Sequence, residues 1–269
     1  MSLTVYRYDG SFDGLLSAFA EAMAREVTPP EFSPDCDGST PSLFGSRASS
    51  TCPAAAAALL ARLEAAGGAA VPRALTQAYL AETPGLERPL YGYCCLTLER
   101  RQCVDAWLSH PAVAQVQEAA RRVSREAHRF QGLLRFMETA TGVFYAPYEP
   151  DHNITVPLSR YFATRLGAQQ WLIHDCRRDL AVFWDGRDLQ PARLNPKAPG
   201  SPDGGPPLSA GERAVQELWR TYHRRSVIAG RGNPRLQRQF MPRRYWRHLV
   251  EMQPEAVGTA AGAAATRLA

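Results

Sequence analysis

The feature that most constrains this 269-residue chain is an apolar stripe between about Ala112 and Phe130. Val113, Val116, Ala120, Val123, Ala127 and Phe130 recur at steps of three and four residues, the period that lines one face of an α-helix. Arg121, Arg122, Arg125 and Arg129 fall off that face. Pro111 suits a first helical turn, where a missing N–H costs no intrahelical bond. A helix of this kind buries its stripe on other elements, and the chain is expected to supply a core for it. Gly132 is expected to end the helix.

The flanking sequence supplies those elements. Thr4–Tyr8 alternates as a short strand, and Asp9-Gly10-Ser11 turns the chain and caps a helix over about 12–25. Leu15, Leu16, Phe19 and Met23 give that helix one apolar side. Residues 27–53, rich in Pro, Ser, Gly and Asp, read as a loop-like excursion. Helices are predicted over Ala54–Ala66, Arg73–Glu82 and about Cys94–Gln102.

Beyond Gly132 the period falls from 3.6 to 2. Leu133–Glu138 and Val143–Tyr148 read as strands across a Thr141-Gly142 turn. A helix over Val156–Leu166 follows, then strands at Gln170–His174 and Leu180–Trp184, with Asp185-Gly186 as a further turn. This β-β-α-β-β middle predicts an α+β fold: helices around a small, mainly antiparallel sheet, with a helical C-terminal segment. Residues 194–207 read as a Pro/Gly linker that does not pack. Ser209 and Glu212 have the spacing of a capping box, opening a helix with Val215, Leu218, Trp219 and Tyr222 on one side. Residues 1–252 are expected to form a single α+β domain, ending in a basic helical segment at 208–252, and 253–269 to be a disordered tail.

Composition excludes several classes. At 45% hydrophobic and 21% charged residues, the chain has the means to build a sizeable core. The most apolar run, Ala54–Ala61, is far short of the ~20 residues that span a membrane, and the N-terminus carries no basic-then-apolar leader. The six cysteines include no CxxC pair, so reduced thiols in a cytoplasmic protein are expected, with no zinc, iron–sulfur or other cofactor.

Charge is localised. The chain has 31 basic and 26 acidic side chains, a net of +5. Trp219–His248 holds Arg220, Arg224, Arg225, Arg231, Arg235, Arg238, Arg243, Arg244 and Arg247 and no carboxylate. Subtracting those nine from 31 leaves 22 against 26. Arginine pairs two-pronged with phosphate and stacks on planar rings. Interleaved with Trp219, Tyr222, Phe240, Tyr245 and Trp246, the stretch has the footprint of a nucleic-acid face. Arg231, Arg235, Arg238, Arg243 and Arg244 are the candidate phosphate contacts, with Tyr245 and Trp246 anchoring the segment or stacking on bases. The competing reading is a solvated face whose arginines pair with the acidic remainder of the chain.

Chemistry-bearing residues gather in the middle. Glu149, Asp151 and His152 of EPDHN, with His128 and His174, are candidates for a metal or acid–base centre on a nucleic-acid substrate, if folding brings them together. Cys176, between Asp175 and Arg177, is a weaker nucleophile candidate whose basic neighbours would lower its pKa. No HExxH, GxSxG or phosphate-loop pattern occurs.

The stretches YDGSFDGLL, EAHRFQGLLRF, EPDHN, WLIHDCRR and NPRLQRQFMPRRYW together resemble a bacterial family of uncharacterised proteins labelled as DNA-metabolism or DNA-repair proteins. The resemblance runs from about Val5 to Glu251. It implies DNA as a partner and association with a DNA-repair-type radical-SAM protein. It further implies a link to uracil-DNA-glycosylase-like proteins, to which some members are fused. The chain has no iron–sulfur CxxxCxxC and no such fusion, so radical or glycosylase chemistry would belong to a partner. Three readings follow: a DNA-binding accessory protein, an enzyme built on EPDHN, and a scaffold whose arginines meet an acidic protein.

Overall fold

The computed structural model describes residues 4–25, 30–34, 46–194, 205–226, 228 and 230–253. The expected tail at 253–269 therefore lies, but for its first residue, outside the described residues. By its contacts the chain divides into two compact units, Met1–Phe130 with Pro150–Leu158, and Gln131–Glu149 with Ser159–Ala269.

The first unit is built on β1 (Thr4–Tyr8), α1 (Phe12–Ala24), β2 (Pro30–Pro34) and β3 (Ser46–Ala48). The three strands form a parallel sheet in the order β2-β1-β3. Parallel pairing follows from connectivity, because α1 carries the chain from the end of β1 back to the start of β2. Ser11 caps α1, its Oγ accepting from Gly14 N at 2.9 Å, while Asp9 Oδ1 accepts from Ser11 N at 2.9 Å. Part of the stretch read as a loop is thus sheet. The prolines that disguised β2 sit at its two ends, on an edge strand where a missing N–H breaks little.

Four helices complete this unit: α2 (Pro53–Gly67), α3 (Ala70–Tyr79), α4 (Glu87–Arg100) and most of α5 (Pro111–Leu133). Leu59 and Leu63 are the only large side chains α2 buries, at 1% and 0% exposure. The α5 stripe is buried as its period requires, with Val113 and Val116 at 0%, Val123 at 2% and Phe130 at 3%. Gly132 does not end α5; the helix runs through it to Leu133, since one glycine costs a helix only ~1 kcal/mol.

The second unit holds a five-stranded sheet, β4 (Met137–Glu138), β5 (Phe144–Tyr148), β6 (Trp171–Asp175), β7 (Leu180–Trp184) and β8 (Leu189–Ala192), in that order. Three of its four pairings are antiparallel. The parallel pair is β5 with β6, the two strands joined through α6 (Thr155–Arg165). Fold class and the β-β-α-β-β order are as the sequence predicts. The predicted first strand is shorter, because α5 absorbs its start, and β8 is an addition.

Side chains explain the turns. Asp175 accepts from the N–H groups of Arg177 and Arg178 at 3.0 and 3.2 Å, closing the β6–β7 hairpin. Asp185 accepts from Arg187 N and Asp188 N at 2.7 and 2.8 Å beside Gly186, whose φ is +100°. Trp171 is fully buried and stacks on Trp184 at 6.1 Å. Phe136 meets both Phe162 and Trp171 edge-on.

The linker expectation is corrected at its described end. Gly205 is buried on Tyr145, where a Cβ would come within 2.9 Å of the ring. Pro207 O accepts from Ala140 N at 2.8 Å, and Ser209 N donates to Glu138 O at 2.9 Å. Residues 195–204 lie outside the described residues. The capping box is also absent. Ser209 Oγ donates to Glu138 Oε2, and Glu212 Oε2 accepts from Glu138 N, both at 2.9 Å. The two box side chains thus fasten the start of α7 (Glu212–Ser226) to the sheet. Then come α8 (Pro234–Phe240) and two short 3-10 helices, Arg243–His248 and Val250–Met252. No helix among the described residues is long and apolar enough to cross a membrane.

Candidate functional site

The arginine-rich segment is displayed by three short helical pieces. Asn233 caps α8, its Oδ1 accepting from Leu236 N at 2.9 Å, and Pro234 sets the first turn. Pro242 then redirects the chain into Arg243–His248. Tyr245, 3% exposed, pins that turn. The Arg244 guanidinium lies 4.7 Å over its ring, and that of Arg243 5.7 Å over Trp246. Trp246 Nε1 donates to Met241 O at 2.9 Å. Of the two roles open to Tyr245 and Trp246, the contacts fit anchoring.

The five candidate phosphate contacts, Arg231, Arg235, Arg238, Arg243 and Arg244, are all exposed. Among the described residues, Arg231, Arg235, Arg238 and Arg243 make no ion pair, whereas their neighbours do. Arg220 and Arg224 pair with Glu217, and Arg247 with Glu149. Arg238 Nε donates only to a backbone carbonyl, Pro234 O, at 3.0 Å. Unpaired exposed guanidinium groups keep their full charge and donors for an anion.

The apolar side of α7 faces out. Val215 is 58% exposed, Leu218 70% and Tyr222 64%. The helix is held by its polar groups instead: Glu212 on the sheet, Arg220 Nε on Val250 O, and Trp219 Nε1 on Glu251 Oε2. Glu251 also takes both prongs of Arg135, at 2.7 and 3.3 Å. Burial pushes the Glu251 carboxyl up, but Arg135 and Trp219 outweigh it, and the group stays below its ordinary value of 4.5.

A cavity of about 530 Å³ opens in the same unit, walled by Tyr145, Glu149, Cys176, Arg220, Arg247 and His248 among others. Arg247 Nη1 donates to Glu149 Oε1 at 2.7 Å. His248 Nε2 lies 3.3 Å from the same oxygen without the alignment of a hydrogen bond. Behind Tyr145 is a chain of polar groups: Tyr145 Oη to His174 Nδ1 at 2.9 Å, then His174 Nε2 to Asp179 Oδ1 at 3.3 Å. With the tyrosine donating, the imidazole proton faces the Asp179 carboxylate, which is 85% exposed. Cys176 Sγ is 3.6 Å from the same Nδ1. Burial pushes its thiol up to about 11, with Glu149 and Asp175 adding to the effect. The Arg247 charge pulls the other way but is outweighed, so at neutral pH it is a thiol and a poor nucleophile.

The other sequence candidates have separate partners. Glu126, 3% exposed, accepts the backbone N–H of Asp151 and of His152, each at 2.8 Å. Its Oε2 lies 3.2 Å from His152 Nδ1, again without hydrogen-bond alignment. Asn153 Nδ2 donates to Glu82 at 3.0 Å. His128 is exposed on α5. EPDHN is therefore divided: Glu149 goes to Arg247 and His248, and the next residues go to Glu126. Among the described residues no three His, Cys, Asp or Glu side chains are grouped to hold a metal ion. Sequence reasoning missed Tyr145 and Asp179, and gave Glu126, beside His128, no role of its own. Nothing marks a tyrosine on FYAPY as polar-bonded, while Glu126 carried one signal, an acidic residue inside the buried stripe.

No curated protein and no solved structure matches the chain. Residues 84–251 match the family model DUF4130, a domain of unknown function, covering EPDHN, WLIHDCRR and the arginine segment but not β1 or α1. The chain belongs to the DUF4130 family.

Proposed function

We propose that this is a cytoplasmic DNA-metabolism or DNA-repair accessory protein that binds nucleic acid through its arginine-rich C-terminal segment. It would act beside a radical-SAM or uracil-DNA-glycosylase-like enzyme, which brings the chemistry. One observation carries the binding part. In a segment without a carboxylate, Arg231, Arg235, Arg238 and Arg243 are exposed and make no ion pair among the described residues. That speaks against a solvated face neutralised by the chain's own acidic groups. The pairing with a partner enzyme is supported by the family resemblance alone. EPDHN is given no reaction, since its members are bonded to different groups.

Equilibrium binding to DNA across a salt series tests this reading. Affinity should fall steeply with salt, each phosphate contact adding about 0.7–0.9 to the log–log slope. The variant Arg235→Glu/Arg238→Glu/Arg243→Glu should lose most of its affinity and flatten the slope by roughly 2. Wild-type affinity in that variant would overturn the assignment.

A further inference from the structure

We infer that the polymer this surface takes is single-stranded, with unpaired bases lying on the aromatic and apolar side chains between its arginines. The inference rests on the nucleic-acid reading above and adds the form of the ligand. It starts from an inversion in α7. Val215, Leu218, Trp219 and Tyr222 keep the spacing of a core-facing stripe, yet Val215, Leu218 and Tyr222 are each more than half exposed. On α8, Leu236 and Phe240 are four residues apart and so share a face, and they are 48% and 62% exposed. Between Trp219 and His248, flat and apolar side chains thus alternate with arginines, of which Arg231, Arg235, Arg238 and Arg243 make no ion pair among the described residues.

One ring is held ready. Trp219 is fixed by the Arg135 guanidinium, 5.3 Å from its ring centroid, and by its bond to Glu251. Tyr222 stacks on Trp219 at 5.6 Å with 29° between the planes. The more exposed ring therefore leans on an immobilised one and has little freedom to lose on binding. Arg225 follows Leu218 and Tyr222 by seven and three residues, on the same side of the helix. Glu217, the acidic residue in the middle of α7, is held by Arg220 and Arg224.

The charges call for a polyanion, and the rings narrow it. A duplex offers phosphates and wet grooves but keeps its base faces inside the stack, so it would leave Leu218, Tyr222 and Phe240 in water. A single strand presents phosphates and bare base faces together, the combination that aromatic platforms in basic grooves take. An acidic protein could meet the charge, but it has no regular supply of planar groups for Tyr222 and Phe240.

The test compares a fluorescein-labelled oligothymidylate of about 20 nucleotides with the same strand annealed to its complement, at equal salt. The chain is used full-length, as wild type and as Tyr222→Ala and Phe240→Ala, two exposed positions where truncation spares the fold; circular dichroism checks this. The single strand should bind at least tenfold tighter than the duplex. Each ring removed should weaken single-strand binding about tenfold and leave duplex binding unchanged. Equal or tighter duplex binding, or variants that bind the single strand like wild type, would overturn the inference while leaving the nucleic-acid reading in place. No binding to either form would overturn both.

Discussion

Helices α5 and α7 carry the same apolar period and meet opposite environments. In α5, Val113, Val116, Val123 and Phe130 are at most 3% exposed, while in α7 Val215, Leu218, Trp219 and Tyr222 are 38–70% exposed. The charges around them differ in parallel. The α5 arginines sit on the solvent side of a filled core. The α7 stripe leads directly into an acid-free run in which, among the described residues, four arginines have no carboxylate partner. A period of three and four says that a helix has one apolar side. It does not say that the same chain supplies the cover. Where it does not, the exposed side is the surface to which the proposed binding is assigned.

The contrast can be broken most forcefully in α5. Phe130→Ala should cost about 3–5 kcal/mol of unfolding free energy, as a truncation that leaves a cavity in a packed site. Chemical denaturation measures it, and a cost under ~1 kcal/mol would mean that the stripe is not core. Next comes Glu251, part of the polar docking of α7. Glu251→Gln should cost about 1–3 kcal/mol, since it leaves Arg135 without its counter-charge. The sign with pH follows from the lowered carboxyl. The stabilisation is fully present above the ordinary value of 4.5 and is lost as pH falls through the folded-state value. The wild type should therefore lose stability on acidification below about 4.5 faster than the variant does; parallel curves would argue against the Arg135–Glu251 pair. The smallest effect is expected on the α7 stripe, where Leu218→Ala should stay within ~0.5 kcal/mol of wild type. A loss of 2 kcal/mol or more there would show that α7 is covered after all.

Much of this was legible in the sequence, and the gaps have physical causes. Strand alternation gave β7, the Asp-Gly turn gave its end, and the three- and four-residue steps gave α5. The parallel sheet was hidden because β2 is PEFSP, an edge strand whose prolines read as loop, and because β3 is only three residues long. Ser209 and Glu212 have the spacing of a local cap, but Glu138 offers both of them a tertiary bond instead. The exposed arginine cluster was readable because charge clustering is a property of sequence alone. The EPDHN group was not, because which carboxylate meets which partner is decided by tertiary contacts: Glu126 closes on the loop's backbone and Arg247 closes on Glu149. Tyr245 and Tyr222 make the same point. Both are tyrosines in a basic stretch, and only folding separates the buried anchor from the exposed ring.

Backbone hydrogen exchange of the full chain, with and without an oligothymidylate, tests the central claim most directly. Protection concentrated in α7, α8 and the turn through Tyr245, and absent from α1 to α5, is the expected result. Protection confined to the N-terminal helices, or none at a concentration that saturates binding, would contradict the assignment of the C-terminal segment as the nucleic-acid surface.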